Sequence, residues 1–306
     1  MLDPGLTNNI IEMLTKNLKP DQINEIGKLI IKKFDMYAIL GLDQHITISK
    51  RKAAATLIEE CASAKREDEL FKLLIELDGS DLMGQTVNFS ELETVMNALA
   101  KRGFVYDYKK RKVKRINEVV DELPNWGVLR AGKSYEMTIA SIDIVGNSEL
   151  INKNGLKKAE KLYFQFWNFL RRVLAVYEGR IWHWAGDGGI LAFTFKNHPI
   201  RAVMFAMEIQ HLLPVFNMDP DRPILDELVL RVGIDTGKIK FDDDTGKIVS
   251  DTINYAAHLE KSFTKPGCIS ISDKVLKLLP EEMRSYFSKS SKFEGRNACM
   301  MDLEDS

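Results

Sequence analysis

The stretch "IWHWAGDGGILAF", Ile181–Phe193, decides the fold of the carboxy-terminal part of this chain. Apolar residues on both sides predict two buried strands. Gly186, Gly188 and Gly189 break them with a turn that contains Asp187. A lone aspartate in a glycine-rich turn is usually only a turn residue. A functional role for this carboxylate therefore depends on what the rest of the sequence brings beside it.

The composition is that of an ordinary globular protein. The 306 residues are 45% hydrophobic and 28% charged, with a formal net charge of -1, and the length suits about two domains. This near-neutral balance makes a nucleic-acid partner unlikely. Three distant cysteines without a CxxC pair argue against a zinc site or a disulfide framework. With no signal-peptide pattern and no long uncharged apolar window, we expect a cytoplasmic protein without a membrane span.

The sequence changes character near residue 130. Residues 1–120 carry apolar side chains at spacings of three and four, which predicts a mainly helical region. Ser90 and Glu93 form a candidate capping box for its last helix. Residues 121–134 contain proline and glycine and predict a linker. We therefore expect a helical regulatory or partner-binding region, whose partner is unknown, followed by a second domain over residues 135–306.

The second domain alternates strand and helix patterns in the order β-α-β-β-α-β, which describes a ferredoxin-like α+β core with additional elements. In such a sheet the first strand can lie beside the hairpin, so Asp143 and Asp187 can converge at one end. Two hard carboxylate oxygens suit Mg²⁺ when phosphate and water fill its other positions. The segment from Gly146 to Ser148 leads into the next helix, whose free N–H groups could hold a phosphate.

Five motifs in residues 135–303 resemble the catalytic domain of the class III nucleotidyl cyclases, the adenylate and guanylate cyclase family. They are "DIVGNS" (143–148), "GDG" (186–188), "LRVGIDTGKI" (230–239), "SDTINYAAHLE" (250–260) and "KPGCISIS" (265–272). The resemblance covers little more than half of the chain. It implies that the chain converts a nucleoside triphosphate to a 3′,5′-cyclic nucleotide and pyrophosphate.

The resemblance also implies a set of site residues and a homodimer with shared active sites. Asp143, Ile144 and Asp187 would bind two Mg²⁺ or Mn²⁺ ions, which activate the ribose 3′-hydroxyl and hold the triphosphate. Arg231 would contact phosphate. The partner subunit would supply the remaining catalytic groups.

These partner-supplied positions depart in part from the family pattern. Asn254 matches the asparagine that orients the ribose. His258 stands where an arginine usually stabilises charge on the α-phosphate, and a histidine lacks the permanent forked donor set of arginine. Arg296 is a loose match to a late phosphate-binding lysine.

The base-reading positions differ from both adenylate and guanylate cyclases. His183 replaces the adenine-reading lysine, and Lys247 lies near its usual partner position. Trp182, Trp184 and Tyr255 either shrink the base pocket or belong to the core, and strand alternation predicts that Trp182 and Trp184 share a face opposite His183.

Three outcomes follow from these departures. One is an adenylate or guanylate cyclase with an unusual pocket. Another is a pyrimidine cyclase, similar to the bacterial antiphage enzymes that make cyclic CMP or cyclic UMP for antiviral signalling, and the pocket favours it mildly. The third is a degenerate domain that binds nucleotide without turnover.

Rival interpretations rest on shorter patterns. Asp235-Thr236-Gly237 is the short signature of aspartic proteases, but those enzymes are mostly β. The run Asp242–Lys247 lacks the later bidentate glutamate of a calcium loop. The basic run Lys109–Arg115 is typical of a solvated strand, or of a wing that touches DNA phosphates. A DNA-binding regulator therefore stays open as a second class of function.

Overall fold

The structure is a computed structural model of the chain. It describes residues 2–43, 45–116, 120–287 and 289–301. The chain forms two compact units, which are Met1–Val120 with Trp126–Val128 and Asp121–Asn125 with Leu129–Ser306. Within the described ranges, no helix has the length and apolar character needed to cross a bilayer.

The first unit is mainly helical, as the spacing of its apolar residues predicts. Its helices are α1 (Pro4–Asn17), α2 (Pro20–Ile30), α3 (Met36–Leu40), α4 (Lys50–Ser63), α5 (Glu67–Leu77) and α6 (Leu92–Ala100). Two small hairpins accompany them, β1 (Ser80–Leu82) with β2 (Gln85–Val87), and β3 (Phe104–Asp107) with β4 (Lys112–Arg115).

The predicted capping box at the start of α6 is wrong. The cap position is Glu91, whose φ of 76° is left-handed, and its side chain makes no capping hydrogen bond. The Ser90 hydroxyl instead donates to Asn17 Oδ1 at 3.1 Å, so this residue ties the loop to the end of α1. A tertiary contact has replaced the local cap that the sequence pattern favours.

The second unit contains a mixed sheet covered by helices. Its elements are β5 (Ser134–Ile144), α7 (Asn147–Asn154), α8 (Leu156–Val176), β6 (Arg180–Ala185), β7 (Gly188–Phe193), α9 (His198–Asn217), β8 (Leu230–Lys240), α10 (Asp251–His258), a π-helical turn (Leu259–Phe263), β9 (Ile269–Ser272), α11 (Asp273–Leu278), α12 (Glu281–Arg284), β10 (Lys289–Phe293) and β11 (Arg296–Met301). The strand order is β10-β11-β9-β8-β5-β7-β6, in which β8 and β9 are parallel. The β8-β5-β7-β6 part confirms the predicted ferredoxin-like core.

Helices α8 and α9 cover one face of this sheet. Strand alternation places Ile142 of β5 and Val232 of β8 on that face, where they pack with Phe166 of α8 and Phe205 of α9. All four side chains are at most 1% exposed. Each contributes on the order of 1.5–3 kcal/mol to folding through burial of apolar surface. This packing fixes the sheet as a rigid frame for the side chains on its other face.

The other face of the sheet lies against α10 and the π-helical turn. A Cβ at Gly233 would lie 2.4 Å from the Ala256 carbonyl oxygen and 2.4 Å from the Glu260 nitrogen. Only glycine allows the backbones to approach this closely. The glycine of "LRVGIDTG" therefore sets the position of Glu260 relative to β8.

A β-bulge in β6 overturns the expected distribution of the hairpin tryptophans. The register with β7 shifts by one residue between Ile181 and His183, at Trp182. Trp182 packs on Phe241 with ring centroids 5.9 Å apart, whereas Trp184 packs on Phe166 on the α8 side. The prediction that both tryptophans share a face is wrong, because the extra residue of a bulge interrupts strict alternation.

Candidate active site

The structure brings Asp143 and Asp187 to the same end of the sheet. Asp143 of β5 lies opposite Gly188 on one neighbouring strand and opposite Arg231 on the other. The backbone N–H of Ile144 donates to the carbonyl oxygen of Asp187 at 3.2 Å. This bond holds the hairpin tip against the end of β5, so both carboxylates project from one short stretch of the sheet edge.

Gly188 explains why the hairpin tip contains so little side-chain volume. A Cβ at this position would lie 2.5 Å from the Ile142 carbonyl oxygen and 3.1 Å from Asp143 Oδ1. Any other residue would push the tip away from β5 and carry Asp187 with it. The "GDG" sequence is therefore required by the distance between two strands as well as by the turn.

The two carboxylates interact electrostatically. Burial raises the pKa of Asp143, a hydrogen bond from Arg231 opposes this effect, and the negative charge of Asp187 raises the pKa further. Because one carboxylate raises the pKa of another only at short range, Asp143 and Asp187 form a local centre of negative potential. Such a centre binds a cation readily.

Arg231 connects Asp143 to a second buried carboxylate. Its Nη2 donates to Asp143 Oδ2 at 2.6 Å, and its Nε lies 2.9 Å from Glu260 Oε1. The contact to Glu260 is an ion pair without hydrogen-bond alignment. Glu260 is 7% exposed, and burial followed by the charge of Asp143 raises its pKa to about 7. The guanidinium is thereby held between two acids at the sheet edge.

Sequence reasoning did not select Glu260 as a site residue. It is the last letter of "SDTINYAAHLE", and a helical pattern alone would place it on a solvated face. It is turned toward β8 by the π-helical turn at Leu259–Phe263. π-Helical turns are frequent at functional sites, but residue composition does not predict them.

The loop between β5 and α7 carries the expected phosphate-binding segment. Gly146 has a φ of 75° and precedes α7, which begins at Asn147, and Ser148 is exposed. The Tyr163 hydroxyl of α8 donates to Asn147 Oδ1 and fixes the start of the helix. The Ile144 side chain is 1% exposed, so any contribution of this residue to a metal site is limited to its main chain.

The positions expected to act on a partner's substrate lie on and beside α10. Asn254 and His258 are both exposed, four residues apart and hence on one helix face. The His258 Nδ1 lies 2.8 Å from Glu294 Oε1. This contact orients the imidazole ring on the exposed face of α10.

Arg296 belongs to the same surface. Its Nη2 donates to Asp251 Oδ1 at 2.7 Å, and its guanidinium stacks 4.5 Å from the ring centroid of Tyr255. Tyr255 is 2% exposed and its hydroxyl donates to the carbonyl oxygen of Phe293. Tyr255 is therefore a core residue that supports Arg296, and it does not line an open base pocket.

The structure also brings together the two predicted base-reading positions. The Thr245 hydroxyl donates to the Trp182 carbonyl oxygen at 2.6 Å, which ties the turn after β8 to strand β6. A Cβ at Gly246 would lie 3.6 Å from His183 Nδ1, so His183 lies beside the segment that carries Lys247. The Lys247 ammonium itself pairs with Asp244 Oδ2 at 2.7 Å.

Trp184 does not join His183 at this place. It lies on the α8 side of the hairpin, with its ring packed on Phe166, while Trp182 is 5% exposed within the core. Neither tryptophan shrinks a pocket on the face that carries Asp143.

The donor set fits Mg²⁺ or Mn²⁺ better than a soft metal. In the part of the chain that the structure describes, no group of three or more His, Cys, Asp or Glu residues could hold a metal ion. Asp143 and Asp187 offer hard carboxylate oxygens and leave coordination positions for phosphate and water, as Mg²⁺ prefers.

No family model matches the chain. The protein named "Putative adenylate cyclase 3" of Rhizobium meliloti (strain 1021) is 30% identical over 137 residues, which are 44% of this chain and 22% of that relative. Over these 137 residues the chain is similar to this adenylate cyclase relative. The chain spans about a fifth of the length of this curated relative.

Solved structures of nucleotide cyclases are similar to part of this chain. The adenylyl cyclase CyaB from P. aeruginosa shares 21% identity with a TM-score of 0.47, covering 55% of this chain and 93% of its own. The guanylate cyclase domain of RhGC from Catenaria anguillulae, in complex with GTP, shares 18% identity with a TM-score of 0.47, covering 55% and 97%. An adenylate/guanylate cyclase/hydrolase from Silicibacter pomeroyi shares 25% identity with a TM-score of 0.44, covering 56% and 99%.

Proposed function

We propose that this protein is a nucleotide cyclase that converts a nucleoside triphosphate to a 3′,5′-cyclic nucleotide and pyrophosphate. The observation that carries the proposal is the pair Asp143 and Asp187 at one end of the sheet, with Arg231 bonded to Asp143. The 3′-oxygen forms a bond to the α-phosphorus, and the bond from the α-phosphorus to the bridging oxygen breaks. The hydroxyl proton passes to solvent.

The two aspartates would hold two Mg²⁺ or Mn²⁺ ions. When bound, such ions neutralise phosphate charge and acidify the ribose hydroxyl. The chain itself supplies the frame and the guanidinium. Glu260 holds the Nε side of Arg231, and the Nη2 of Arg231 donates to Asp143. Fixed donors of this kind stabilise developing charge without reorganising during the reaction.

We propose that the active enzyme is a homodimer. The first set of residues, Asp143, Asp187 and Arg231, would bind the metal ions and triphosphate of one substrate. Asn254 and His258 of α10 would reach the substrate held by the partner. The exposure of both side chains on one helix face supports this arrangement.

Subunit complementation tests the homodimer. Asp187→Asn and Asn254→Ala chains should each be inactive alone. An equal mixture should recover about a quarter of wild-type activity, because half of the dimers contain one intact site. Recovery of none, with dimers confirmed by light scattering, would contradict a shared site.

We further propose a non-standard base pocket with a pyrimidine product, cyclic UMP or cyclic CMP. His183 and Lys247 are both hydrogen-bond donors when protonated, and the pyrimidine carbonyl oxygens are acceptors. The positions of Trp182 and Trp184 do not support a smaller pocket, so this proposal rests on the donor pair alone. ATP or GTP in an unusual pocket is the second candidate.

Some predictions extend beyond the cyclase domain. We propose that the helical first unit regulates the cyclase or binds a protein partner. The cytoplasmic location, the antiviral signalling role and the low expectation of nucleic-acid binding stay predictions from the sequence.

Product analysis tests the proposed reaction and names the base. Purified protein would be incubated with ATP, GTP, CTP or UTP in Mn²⁺ or Mg²⁺, and the products identified by mass spectrometry. One cyclic nucleotide is expected, absent with Asp187→Asn and retained with Asp243→Asn, an exposed aspartate in the turn after β8. Tight nucleotide binding with no product from any triphosphate would instead indicate the degenerate domain.

A further inference from the structure

A cavity of about 350 Å³ lies between α8 and the tip of the β6–β7 hairpin. Its lining comprises Glu160, Tyr163, Phe164, Trp167, Trp184 and Gly186. The volume falls in the range of about 300–1,000 Å³ that is typical of small-molecule sites. Because Trp184 faces α8, the cavity lies on the side of the sheet away from the Asp143 side chain.

Aromatic rings form most of the cavity wall. Phe164 is 64% exposed, and its ring stacks beside that of Trp167 with centroids 6.4 Å apart. The Trp184 Nε1 donates to the Gly186 carbonyl oxygen at 3.1 Å, which fixes the ring. Aromatic faces carry negative electrostatic potential and attract cations. The Arg171 guanidinium, 4.6 Å from the Trp167 centroid, already makes such a contact at the edge of this wall.

The charged group in the cavity wall is negative, and the Arg171 guanidinium at the edge of the wall is paired with Glu122 Oε1 at 3.0 Å. Glu160 contributes a carboxylate to the lining, and none of the described residues that line the cavity is a lysine or arginine. Burial, followed by the charges of Asp187 and Asp143, raises the pKa of Tyr163 to about 12. The field of the two site aspartates therefore reaches the cavity wall. An anionic ligand would be repelled here, and a cation would be attracted.

We propose that this cavity binds an organic cation of the methylated-ammonium class, with the rings around the ammonium head and Glu160 as counter-ion. Quaternary ammonium groups suit aromatic walls because they are weakly hydrated and offer no hydrogen-bond donor. The site does not depend on the proposed cyclase reaction. Two lining residues nevertheless connect the cavity to the segments that carry Asp143 and Asp187. Tyr163 donates to Asn147 in the segment after Asp143, and Gly186 directly precedes Asp187.

Titration with choline chloride tests this site on the full-length protein. Binding would be followed by calorimetry and by tryptophan fluorescence, in buffer matched for chloride. The neutral isostere 3,3-dimethyl-1-butanol has the same shape without the charge. Choline should bind about 10-fold more tightly than the isostere, as expected for a cation–π contact of about 1–2 kcal/mol.

Two surface variants and one matched control complete the test. Phe164→Ala and Glu160→Gln should each weaken choline binding about 5-fold or more. Val176→Ala, which truncates another exposed apolar residue of α8, should leave it unchanged. Equal affinity for choline and the isostere would overturn the proposal in favour of an apolar cleft. The proposal of a cation site would also fail if choline shows no saturable binding up to about 50 mM. It would fail as well if both variants bind choline with wild-type affinity.

Discussion

The substitution Glu260→Gln should raise the free energy of unfolding relative to wild type, and this gain should be larger at high pH than at low pH. Glu260 has an ordinary pKa near 4.5, which burial and the charge of Asp143 raise to about 7 in the folded chain. The folded state therefore holds a proton that the unfolded state releases. Glu260 is neutral in both states below pH 4.5. As pH rises from 4.5 through 7, ionisation favours unfolding, and the stability that the bound proton provides is lost.

The magnitude follows from the size of the shift. A change from 4.5 to about 7 corresponds to about 3 kcal/mol between the two protonation states. Glutamine is neutral at every pH and lacks this dependence. The difference in free energy of unfolding, Glu260→Gln minus wild type, should therefore increase by about 3 kcal/mol from pH 4.5 to pH 8.

Urea unfolding at a series of pH values measures this difference, with the fluorescence of the tryptophans of the second unit as the signal. Glu136→Gln, at an exposed position of β5, is the matched control and should track wild type across the series. A change of less than about 1 kcal/mol for Glu260→Gln would refute the reasoning. Glu260 would then be solvated, and it would not hold Arg231 in a buried ion pair.

Three further substitutions and one control substitution test the frame of the site. Gly233→Ala should lower the free energy of unfolding by about 2–3 kcal/mol, because its Cβ would collide with backbone atoms of the α10 segment. Gly246→Ala, whose nearest contacts are 3.6 Å away, should change it little, and calorimetry compares the two. Phe166→Ala should cost about 3–5 kcal/mol in urea unfolding, since it empties the core between α8 and the sheet. Tyr163→Phe removes the hydrogen bond to Asn147 and should raise the KM for nucleotide about 5-fold, and an unchanged KM would show that this bond does not position the loop.

The parts of the fold that local patterns control could be predicted from the sequence. The hairpin with Asp187 at its tip follows from two apolar runs around three glycines. Its position beside Asp143 follows from the β-α-β-β-α-β order. To predict the hairpin and its position beside Asp143, it is enough to know which strands are neighbours in the sheet. The long amphipathic pattern of α8 likewise predicts which of its residues pack on the sheet.

Features that depend on contacts between distant segments could not be predicted. The bulge at Trp182 adds a residue to β6, and it reverses the face expected for one tryptophan. The ion pair of Arg231 with Glu260 requires the π-helical turn after α10, for which the sequence contains no local signal. Ser90 bonds to α1 and does not cap its own helix. In each case a tertiary contact outweighs the local preference.

The most direct test of the proposed chemistry is the ratio of the two products in one reaction. With the accepted triphosphate and Mn²⁺, wild-type protein should release cyclic nucleotide and pyrophosphate in equal amounts. Neither product should form with Asp143→Asn or Asp187→Asn chains that remain folded and dimeric. A linear monophosphate or diphosphate as the main product, or cyclic product that persists in both variants, would contradict catalysis at this pair of aspartates.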